Sequence, residues 1–369
     1  MMYTYSPRLV SVRPELDRLA EYVPGESLEA FSTRTNIPIQ EIIKLNSNES
    51  PYEPVPEVLA ALANYKQFNL YPDTDSAALR QALEQYTGVE KRHIVVQHGS
   101  MELINLLWHL FLSPGDNIIC CPPTFSLYKS VTTFCGAHVV EVPRNPDFSL
   151  NVEAIKAAIT PQTKLIILCS PNNPTGNPIR QEDLFALLDT GRIIMVDEAY
   201  VEFSDFPRGY AHLVPEHENL VVTRTFSKWA GLAGLRIGYA LVPEWIQSYM
   251  RRAQCPFEVN MSGHIAAIET LKHLDATLQN VQRIVEERAH LFEVLASYPF
   301  LKPLPSQGNY ILTFVDQSQV TIKQLRNAVE SHGILLRYFS SQPDLADYFR
   351  VTVGLPEHTE KLNQALQGL

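Results

Sequence analysis

Short β-rich runs alternate with helical stretches through the middle of the chain, and this alternation restricts the possible folds more than any other feature. It is typical of a mostly parallel sheet whose connecting helices cover the sheet. Several runs are apolar at every position, as burial on two faces requires. We therefore predict an α/β fold with three layers, a mostly parallel sheet with helices on both faces. The predicted strands are Ile94–Gln97, Asn117–Cys121, His138–Val142, Lys164–Cys169, Arg192–Val196, Asn219–Thr223 and Gly238–Val242.

The pattern changes after Pro256, where a helical periodicity rich in Glu, Arg and Leu runs over residues 265–298. Two further predicted strands follow, at Asn309–Phe314 and Tyr348–Val353. The start of the chain is rich in proline and charge, which indicates an arm that packs on another surface, such as a partner subunit. The predicted organisation is an N-terminal arm (1–45), a large domain (46–260) and a smaller α+β C-terminal domain (261–369).

The charge balance limits the partners that the chain can bind. Thirty lysines and arginines stand against 40 aspartates and glutamates, which gives a net charge of -10. This sign disfavours nucleic acid and anionic membranes, so we expect neither as a partner. Any anionic ligand must meet a local cluster of hydrogen-bond donors.

The five cysteines show no C-x-x-C spacing, which indicates a reducing compartment and gives no metal motif. The first 23 residues have no apolar centre of a signal peptide, and no apolar stretch is long enough to span a bilayer. We therefore expect a cytoplasmic protein without a membrane partner.

Ligands of open α/β sheets bind beyond the carboxyl ends of the strands, and four such ends carry unusual polar residues. At the first, a Gly-Ser turn leads into a predicted helix at Ser100 and Met101, a geometry that binds phosphate well, although most Gly-Ser turns are plain connections. At the second, two prolines fix a turn around Asn173, which either aims its amide at a ligand or merely closes a tight loop.

At the third end, Asp197 follows a buried strand, with Tyr200 three residues on. A buried carboxylate needs a partner, which a protonated heterocyclic nitrogen, an arginine or a helix N-terminus would supply. The fourth end is the most informative, because two hydroxyls, an amine and a guanidinium converge there. Together they can hold a dianionic phosphate while the amine forms a Schiff base with an aldehyde. These residues are Thr225, Ser227, Lys228 and Arg236.

A lone lysine is usually a solvated surface residue, yet the four ends together meet the needs of one cofactor, pyridoxal phosphate. They offer an amine, a carboxylate for the pyridine nitrogen, and donors for the 3-oxygen and the phosphate. Phe125, at another strand end, can stack on the ring, although phenylalanine is more often a core residue.

Motifs along almost the whole chain resemble fold-type I pyridoxal-phosphate aminotransferases, and within them the histidinol-phosphate aminotransferase branch. The P-N-N-P-T-G and lysine motifs mark the superfamily, whereas L-N-x-N-E and Y-P-D narrow it to the branch. The matching segments are Tyr22–Gly25, Leu45–Tyr52, Tyr71–Asp73, Cys121–Phe125, Ser170–Gly176, Val196–Tyr200, Arg224–Lys228 with Arg236, Asn309–Leu312 and Arg350–Gly354.

The resemblance implies that Lys228 bonds to the cofactor and shuttles the proton, while Asp197 pairs with the ring nitrogen. It further implies that Asn173 and Tyr200 hold the 3-oxygen and that Phe125 stacks on the ring. The residues implied for the cofactor phosphate are Ser100, Met101, Thr225, Ser227 and Arg236.

The resemblance also implies roles in substrate binding. Arg350 would grip the substrate carboxylate, and Arg337 would bind the phosphate of a phosphorylated substrate with help from Tyr22. Tyr52 resembles a tyrosine that reaches the cofactor phosphate of the other subunit, so a homodimer with shared sites is expected. Met101 stands where the family usually has Asp, so only a backbone contact can persist there.

The predicted activity is transamination of histidinol phosphate with 2-oxoglutarate in histidine biosynthesis. A threonine-phosphate decarboxylase or an aromatic-amino-acid aminotransferase of the same fold would carry similar motifs. A catalytically silent pyridoxal-phosphate-binding regulator is the alternative from another class, but such proteins usually append a basic DNA-binding module, and no basic segment is present. A dinucleotide dehydrogenase is disfavoured because no G-x-G-x-x-G follows a predicted strand.

Overall fold

The computed structural model describes residues 25–339 and 342–369, together with Arg13, Leu16 and Leu19. Its helices are α1 (Leu28–Thr35), α2 (Pro56–Asn64), α3 (Ala77–Thr87), α4 (Ser100–Phe111), α5 (Leu127–Phe134), α6 (Val152–Ala157), α7 (Gln181–Leu188), α8 (Glu244–Ala253), α9 (Met261–Lys272), α10 (Leu274–Ala296), α11 (Ile322–Ser331) and α12 (Pro356–Leu366). Its strands are β1 (Ile43–Lys44), β2 (Ile94–Gln97), β3 (Asn117–Cys120), β4 (His138–Glu141), β5 (Thr163–Cys169), β6 (Ile193–Asp197), β7 (Leu220–Thr225), β8 (Gly238–Leu241), β9 (Leu301–Pro303), β10 (Tyr310–Val315), β11 (Ile334–Leu335), β12 (Arg337–Tyr338) and β13 (Tyr348–Thr352).

Seven strands form the central sheet in the order β2-β8-β7-β6-β5-β3-β4. All neighbours are parallel except β8, which runs antiparallel to both β2 and β7. The carboxyl ends of β5, β6 and β7 therefore meet at one edge, where Cys169 pairs with Asp197 and Asp197 with Thr223. This arrangement brings the polar residues of the second, third and fourth predicted strand ends to one place.

Alternating side chains of the central strands enter two separate cores. Along β6, Ile194 and Val196 enter one core and Met195 enters the other. The first core is completed by apolar residues of α3, α7, α9 and α10, and the second by those of α4, α5 and α8. The sheet thus lies between two helical layers, which confirms the predicted three-layer α/β fold with helices on both faces.

A second sheet contains four antiparallel strands in the order β12-β13-β10-β9. Residues 265–298, predicted as one helical stretch, form two helices that are interrupted at His273. The backbone of His273 has φ -108° and ψ 39°, outside the helical range, so it ends α9 and precedes α10. The strands of this sheet and the helices after residue 260 make up the region predicted as the smaller α+β domain.

Residues 25–45 of the predicted arm pack against later parts of the same chain. Strand β1 pairs in parallel with β11, and the guanidinium of Arg34 lies 2.7 Å from the carboxylate of Glu330. No helix in the described part of the chain is both long and apolar enough to cross a membrane.

Candidate active site

A cavity of about 310 Å³ lies at the carboxyl edge of the central sheet and beside the small sheet. Its volume falls in the roughly 300–1,000 Å³ range that is usual for small-ligand pockets. Twelve of the fourteen predicted site residues line it. They are Ser100, Met101, Phe125, Asn173, Asp197, Tyr200, Thr225, Ser227, Lys228, Arg236, Arg337 and Arg350.

The two other predicted residues are not placed in this cavity. Tyr52 does not line it, and the guanidinium of Arg283 lies over the Tyr52 ring at 5.8 Å from the ring centroid. Tyr22 falls outside the described residues. A single chain therefore brings twelve of the fourteen predicted site residues to one cavity.

The charges that line the cavity oppose the charge of the whole chain. Among the described lining residues, Lys228, Arg236, Arg337 and Arg350 are cationic, and Asp197 is the one carboxylate. The chain as a whole has a net charge of -10. The cavity is thus the local cluster of donors that an anionic ligand of this acidic protein requires.

One end of the cavity is built for a phosphate. Helix α4 begins after Gly99, which has φ 90° and gives the helix no side-chain cap, so the first amides of the helix remain as donors. A Cβ at Gly99 would lie 2.7 Å from Nη2 of Arg236, so the guanidinium can lie across this turn only because the residue is glycine. Nη1 of Arg236 lies 3.4 Å from Oγ of Ser227, which also accepts a 2.9 Å bond from Oγ1 of Thr225.

The cavity also holds a buried carboxylate. Asp197 is the last residue of β6, and its Oδ2 accepts a 2.6 Å hydrogen bond from the hydroxyl of Tyr128. Burial raises the pKa of Asp197, while the hydroxyls of Tyr128 and Thr223 lower it. A cationic group in the cavity would compensate this charge.

Lys228 follows β7, and its Nζ donates to the backbone oxygen of Ser47 at 3.0 Å. Burial lowers the pKa of Lys228 to about 8, and the nearby guanidinium of Arg350 adds to this effect. An amine with this pKa is neutral in a substantial fraction of molecules near neutral pH. It is therefore suited to act as a nucleophile and as a base.

Tyr200 and Asn173 also line the cavity. The phenol oxygen of Tyr200 accepts a 3.1 Å hydrogen bond from Nδ2 of Asn48, so its own proton is available for a ligand. Burial raises the pKa of Tyr200 well above its ordinary value, which keeps that proton in place. Oδ1 of Asn173 accepts from Nη1 of Arg350 at 2.5 Å, and Nη2 of Arg350 donates to the backbone oxygen of Asn46 at 2.7 Å.

The two predicted substrate arginines lie side by side. Arg337 on β12 is directly opposite Arg350 on the antiparallel strand β13, and both line the cavity. Side chains opposite each other in such a pair have Cβ atoms about 4.5–5.5 Å apart, and like charges there are destabilising. An anion with several oxygens would stabilise this pair.

Several residues that line or support the cavity were missed by the sequence reasoning. Asn48 has a left-handed backbone with φ 53°, and its amide and carbonyl groups bond to Thr352 and Asn309. It belongs to the L-N-x-N-E motif, which narrows the family but does not by itself indicate what Asn48 contacts. Tyr128 also lines the cavity, but it lies on the apolar face of α5 and so resembles an ordinary core residue in the sequence.

Comparison with known proteins identifies the family. The model of aminotransferase class I and II matches residues 40–368. The chain belongs to this family. It is a pyridoxal-phosphate-dependent aminotransferase, as the sequence motifs predicted.

Named relatives are similar over nearly all of the aminotransferase. The chloroplastic histidinol-phosphate aminotransferase of Nicotiana plumbaginifolia is 44% identical over 358 residues, which cover 96% of this chain and 86% of the relative. The histidinol-phosphate aminotransferase of Dehalococcoides mccartyi is 40% identical and is covered over 96% of each chain. The crystal structure of histidinol-phosphate aminotransferase from Sinorhizobium meliloti, in complex with pyridoxal-5'-phosphate, has a TM-score of 0.87 at 24% identity and covers 100% of this chain and 98% of that chain.

The cavity of the aminotransferase fits its cofactor. Lys228 is the one amine among the described lining residues, and the buried carboxylate of Asp197 suits a protonated ring nitrogen. The open start of α4 and the guanidinium of Arg236 suit the phosphate.

Proposed function

We propose that this aminotransferase transfers an amino group between histidinol phosphate and 2-oxoglutarate in histidine biosynthesis. The names of its relatives, at 40–44% identity, support this substrate. The observation that carries the proposal is the placement of Arg337 opposite Arg350 in a cavity that also contains Lys228. Two adjacent guanidinium groups suit a dianion better than a single carboxylate.

Different residues of the cavity would hold different parts of the cofactor. Asp197 would bind the ring nitrogen, Asn173 and Tyr200 the 3-oxygen, and Phe125 the ring face, while Lys228 would hold the cofactor covalently. When bound, pyridoxal phosphate supplies an electron-withdrawing ring that stabilises negative charge at the reacting carbon. The groups for its phosphate would be the amides of Ser100 and Met101 with the side chains of Thr225, Ser227 and Arg236.

Lys228 would also move the proton of the reaction. Its lowered pKa, about 8, allows Nζ to accept the proton from Cα of the amino substrate near neutral pH. Nζ would then donate that proton to the adjacent carbon of the cofactor, C4′. The bond from Nζ to the backbone oxygen of Ser47 holds the amine inside the cavity.

The chemistry of the two substrates explains the pair of arginines. Histidinol phosphate carries a phosphate and no carboxylate, so Arg337 and Arg350 would both face its dianionic phosphate in one half-reaction. In the other half-reaction 2-oxoglutarate presents two carboxylates, one for each arginine. Asn173 and the backbone of Asn46 fix the plane of Arg350 for both tasks.

We further propose a cytoplasmic homodimer in which Tyr52 completes the cavity of the partner. The position of Tyr52 outside its own cavity supports this role, as do the exposed rings of Tyr71 and Phe257, which stack at 4.5 Å. Five free cysteines support a reducing compartment. Mixing the Lys228→Ala and Tyr52→Ala variants tests the sharing, because a hybrid dimer would contain one intact site. Activity that does not rise above that of Tyr52→Ala alone would exclude shared sites.

The substrate test uses purified holoenzyme with 2-oxoglutarate and, in separate assays, histidinol phosphate, threonine phosphate or an aromatic amino acid. We expect glutamate formation from histidinol phosphate and no release of carbon dioxide from threonine phosphate. The Lys228→Ala variant serves as the control for background. Release of carbon dioxide from threonine phosphate would instead assign the protein as a decarboxylase, and turnover only with aromatic amino acids would exclude the phosphorylated substrate.

A further inference from the structure

We propose that Tyr128 is a positioning residue for the transamination: its hydroxyl fixes one oxygen of Asp197 while its ring supports Phe125. One side chain would then set the orientation of both the carboxylate and the aromatic face that meet the cofactor ring. The proposal rests on the proposed cofactor contacts of Asp197 and Phe125, and it does not depend on the identity of the amino substrate.

The hydrogen bond between Tyr128 and Asp197 is short and buried. The two oxygens lie 2.6 Å apart, within the range of about 2.5–2.7 Å that is usual when a hydroxyl donates to an ionised carboxylate. The other carboxylate oxygen, Oδ1, has a longer contact of 3.4 Å to the hydroxyl of Thr223. The hydroxyl of Tyr128 thus holds Oδ2, and Oδ1 remains for a ligand in the cavity that Asp197 lines.

Tyr128 itself is buried, and hydrogen bonds fix its part of the backbone. It is 1% exposed, and its backbone oxygen accepts a 2.7 Å bond from Oγ1 of Thr132. That hydroxyl accepts in turn a 2.7 Å bond from the indole nitrogen of Trp108 on α4. Burial keeps the pKa of the Tyr128 phenol well above its ordinary value, so the phenol remains a neutral donor.

The ring of Tyr128 provides the second contact. It meets the ring of Phe125 edge to face, with centroids 5.5 Å apart and an interplanar angle of 86°. This geometry is favourable for aromatic pairs and restricts how the smaller, partly buried ring of Phe125 can turn. Tyr128 therefore limits the orientations of the Phe125 ring where it lines the cavity.

The hydroxyl is needed because Asp197 is buried. Burial disfavours the ionised carboxylate, and the bond from Tyr128 opposes that effect. Without the hydroxyl, Asp197 would be harder to ionise and would lose the shortest bond that fixes its carboxylate. Both changes would weaken its contact with a protonated ring nitrogen and leave contacts with the phosphate unchanged.

The test compares the affinity of the apoenzyme for pyridoxal phosphate and for its deaza analogue, in which a carbon replaces the ring nitrogen. The Tyr128→Phe variant keeps the ring and removes the hydroxyl. We expect it to bind pyridoxal phosphate about tenfold or more weakly, as the loss of a charge-assisted bond implies, and to bind the deaza analogue as the wild type does. Equal weakening for both ligands, or for neither, would overturn the proposal.

Two further variants separate positioning from general damage. Tyr86→Phe removes the hydroxyl of a partly buried tyrosine that contacts another carboxylate, that of Glu202 at 3.4 Å, and should change neither affinity. Thr223→Val removes the longer contact to Asp197 and should show the same selectivity with a smaller effect. If Tyr128→Phe did not fold, a Thr223→Val variant without selectivity between the two ligands would overturn the proposal by itself. Because cofactor affinity is measured without substrate, failure of the histidinol phosphate assignment would leave this result unaffected.

Discussion

Two adjacent residues at the end of β6 face opposite sides of the sheet and meet opposite environments. Asp197 faces the cavity, where cations outnumber it four to one. Glu198 faces the other side, where it forms a buried ion pair with Arg224 at 2.8 Å. This difference arises because successive side chains of a strand point to opposite faces of the sheet. The same holds on β7, where Thr225 lines the cavity and Arg224 pairs with Glu198.

The two regions differ in how their charges are satisfied. Glu198 also accepts from the backbone amide of Tyr210 at 2.5 Å, and Arg224 donates to the backbone oxygen of Arg208 at 2.6 Å. These groups therefore need no ligand. The groups around the cavity hold one another in position but keep an excess of positive charge for an anion. The Glu198 side is thus paired within the chain, whereas the Asp197 side has groups that can bind a ligand.

The largest expected effect comes from breaking the ion pair. Arg224→Met would leave the carboxylate of Glu198 buried without its partner, which costs about 3–5 kcal/mol of unfolding free energy. The matched variant on the cavity side, Arg236→Met, should weaken cofactor binding and leave the stability of the apoenzyme nearly unchanged. Denaturant unfolding of both apoenzymes measures the difference. Equal losses of stability would show that the two sides are not specialised.

Substrate binding on the cavity side should depend strongly on Arg337. Arg337→Ala should raise the KM for histidinol phosphate roughly 10- to 150-fold, since a hydrogen bond to a charged group contributes about 1.5–3 kcal/mol. The KM for unphosphorylated histidinol should change little. Arg92→Ala, at an exposed position away from the cavity, is the control. A similar change in KM for both substrates would remove the phosphate-binding role.

The amine of Lys228 should make cofactor attachment depend on pH. Its pKa, about 8, is lower than that of an ordinary lysine, so the reactive neutral form becomes scarcer below that pH. The rate at which apoenzyme takes up pyridoxal phosphate should fall about tenfold per pH unit below about 8 and level off above it. Stopped-flow absorbance at a series of pH values measures this rate. A midpoint near the pKa of an ordinary lysine would contradict the effect of the cavity.

The smallest expected effect concerns the stability of the apoenzyme. Because the pKa of Asp197 is raised in the folded protein, the folded state holds this proton more tightly than the unfolded chain, and stability falls as the pH rises through the raised value. Asp197→Asn should therefore raise the melting temperature of the apoenzyme at neutral pH, and the advantage should disappear in acid. A lower melting temperature at neutral pH would indicate that the ionised Asp197 stabilises the empty fold.

Much of the central sheet could be predicted because its strands are buried on both faces and apolar throughout. β2, for example, has the bounds that the sequence predicts. The site residues at the strand ends could be found because parallel strands bring their carboxyl ends together.

Other features could not be found because they depend on distant pairing. The register that places Arg337 opposite Arg350 is set by the strand pairing, and the bond from Asn48 to Thr352 joins residues 304 positions apart. Tyr128 lies on a helix whose apolar face enters the core, so its phenol could not be distinguished from an ordinary core side chain. The break at His273 involves neither proline nor glycine, and the periodicity of the surrounding residues conceals it.

The covalent attachment of pyridoxal phosphate to Lys228 is the claim on which the rest of the site depends. Borohydride reduction of the holoenzyme, followed by peptide mass spectrometry, locates the attachment directly. We expect the reduced cofactor on the peptide that contains Lys228 and on no other, and no labelled peptide from Lys228→Ala. Labelling of a different lysine in the wild type, or a wild-type protein that stays unlabelled after incubation with pyridoxal phosphate, would contradict the assignment.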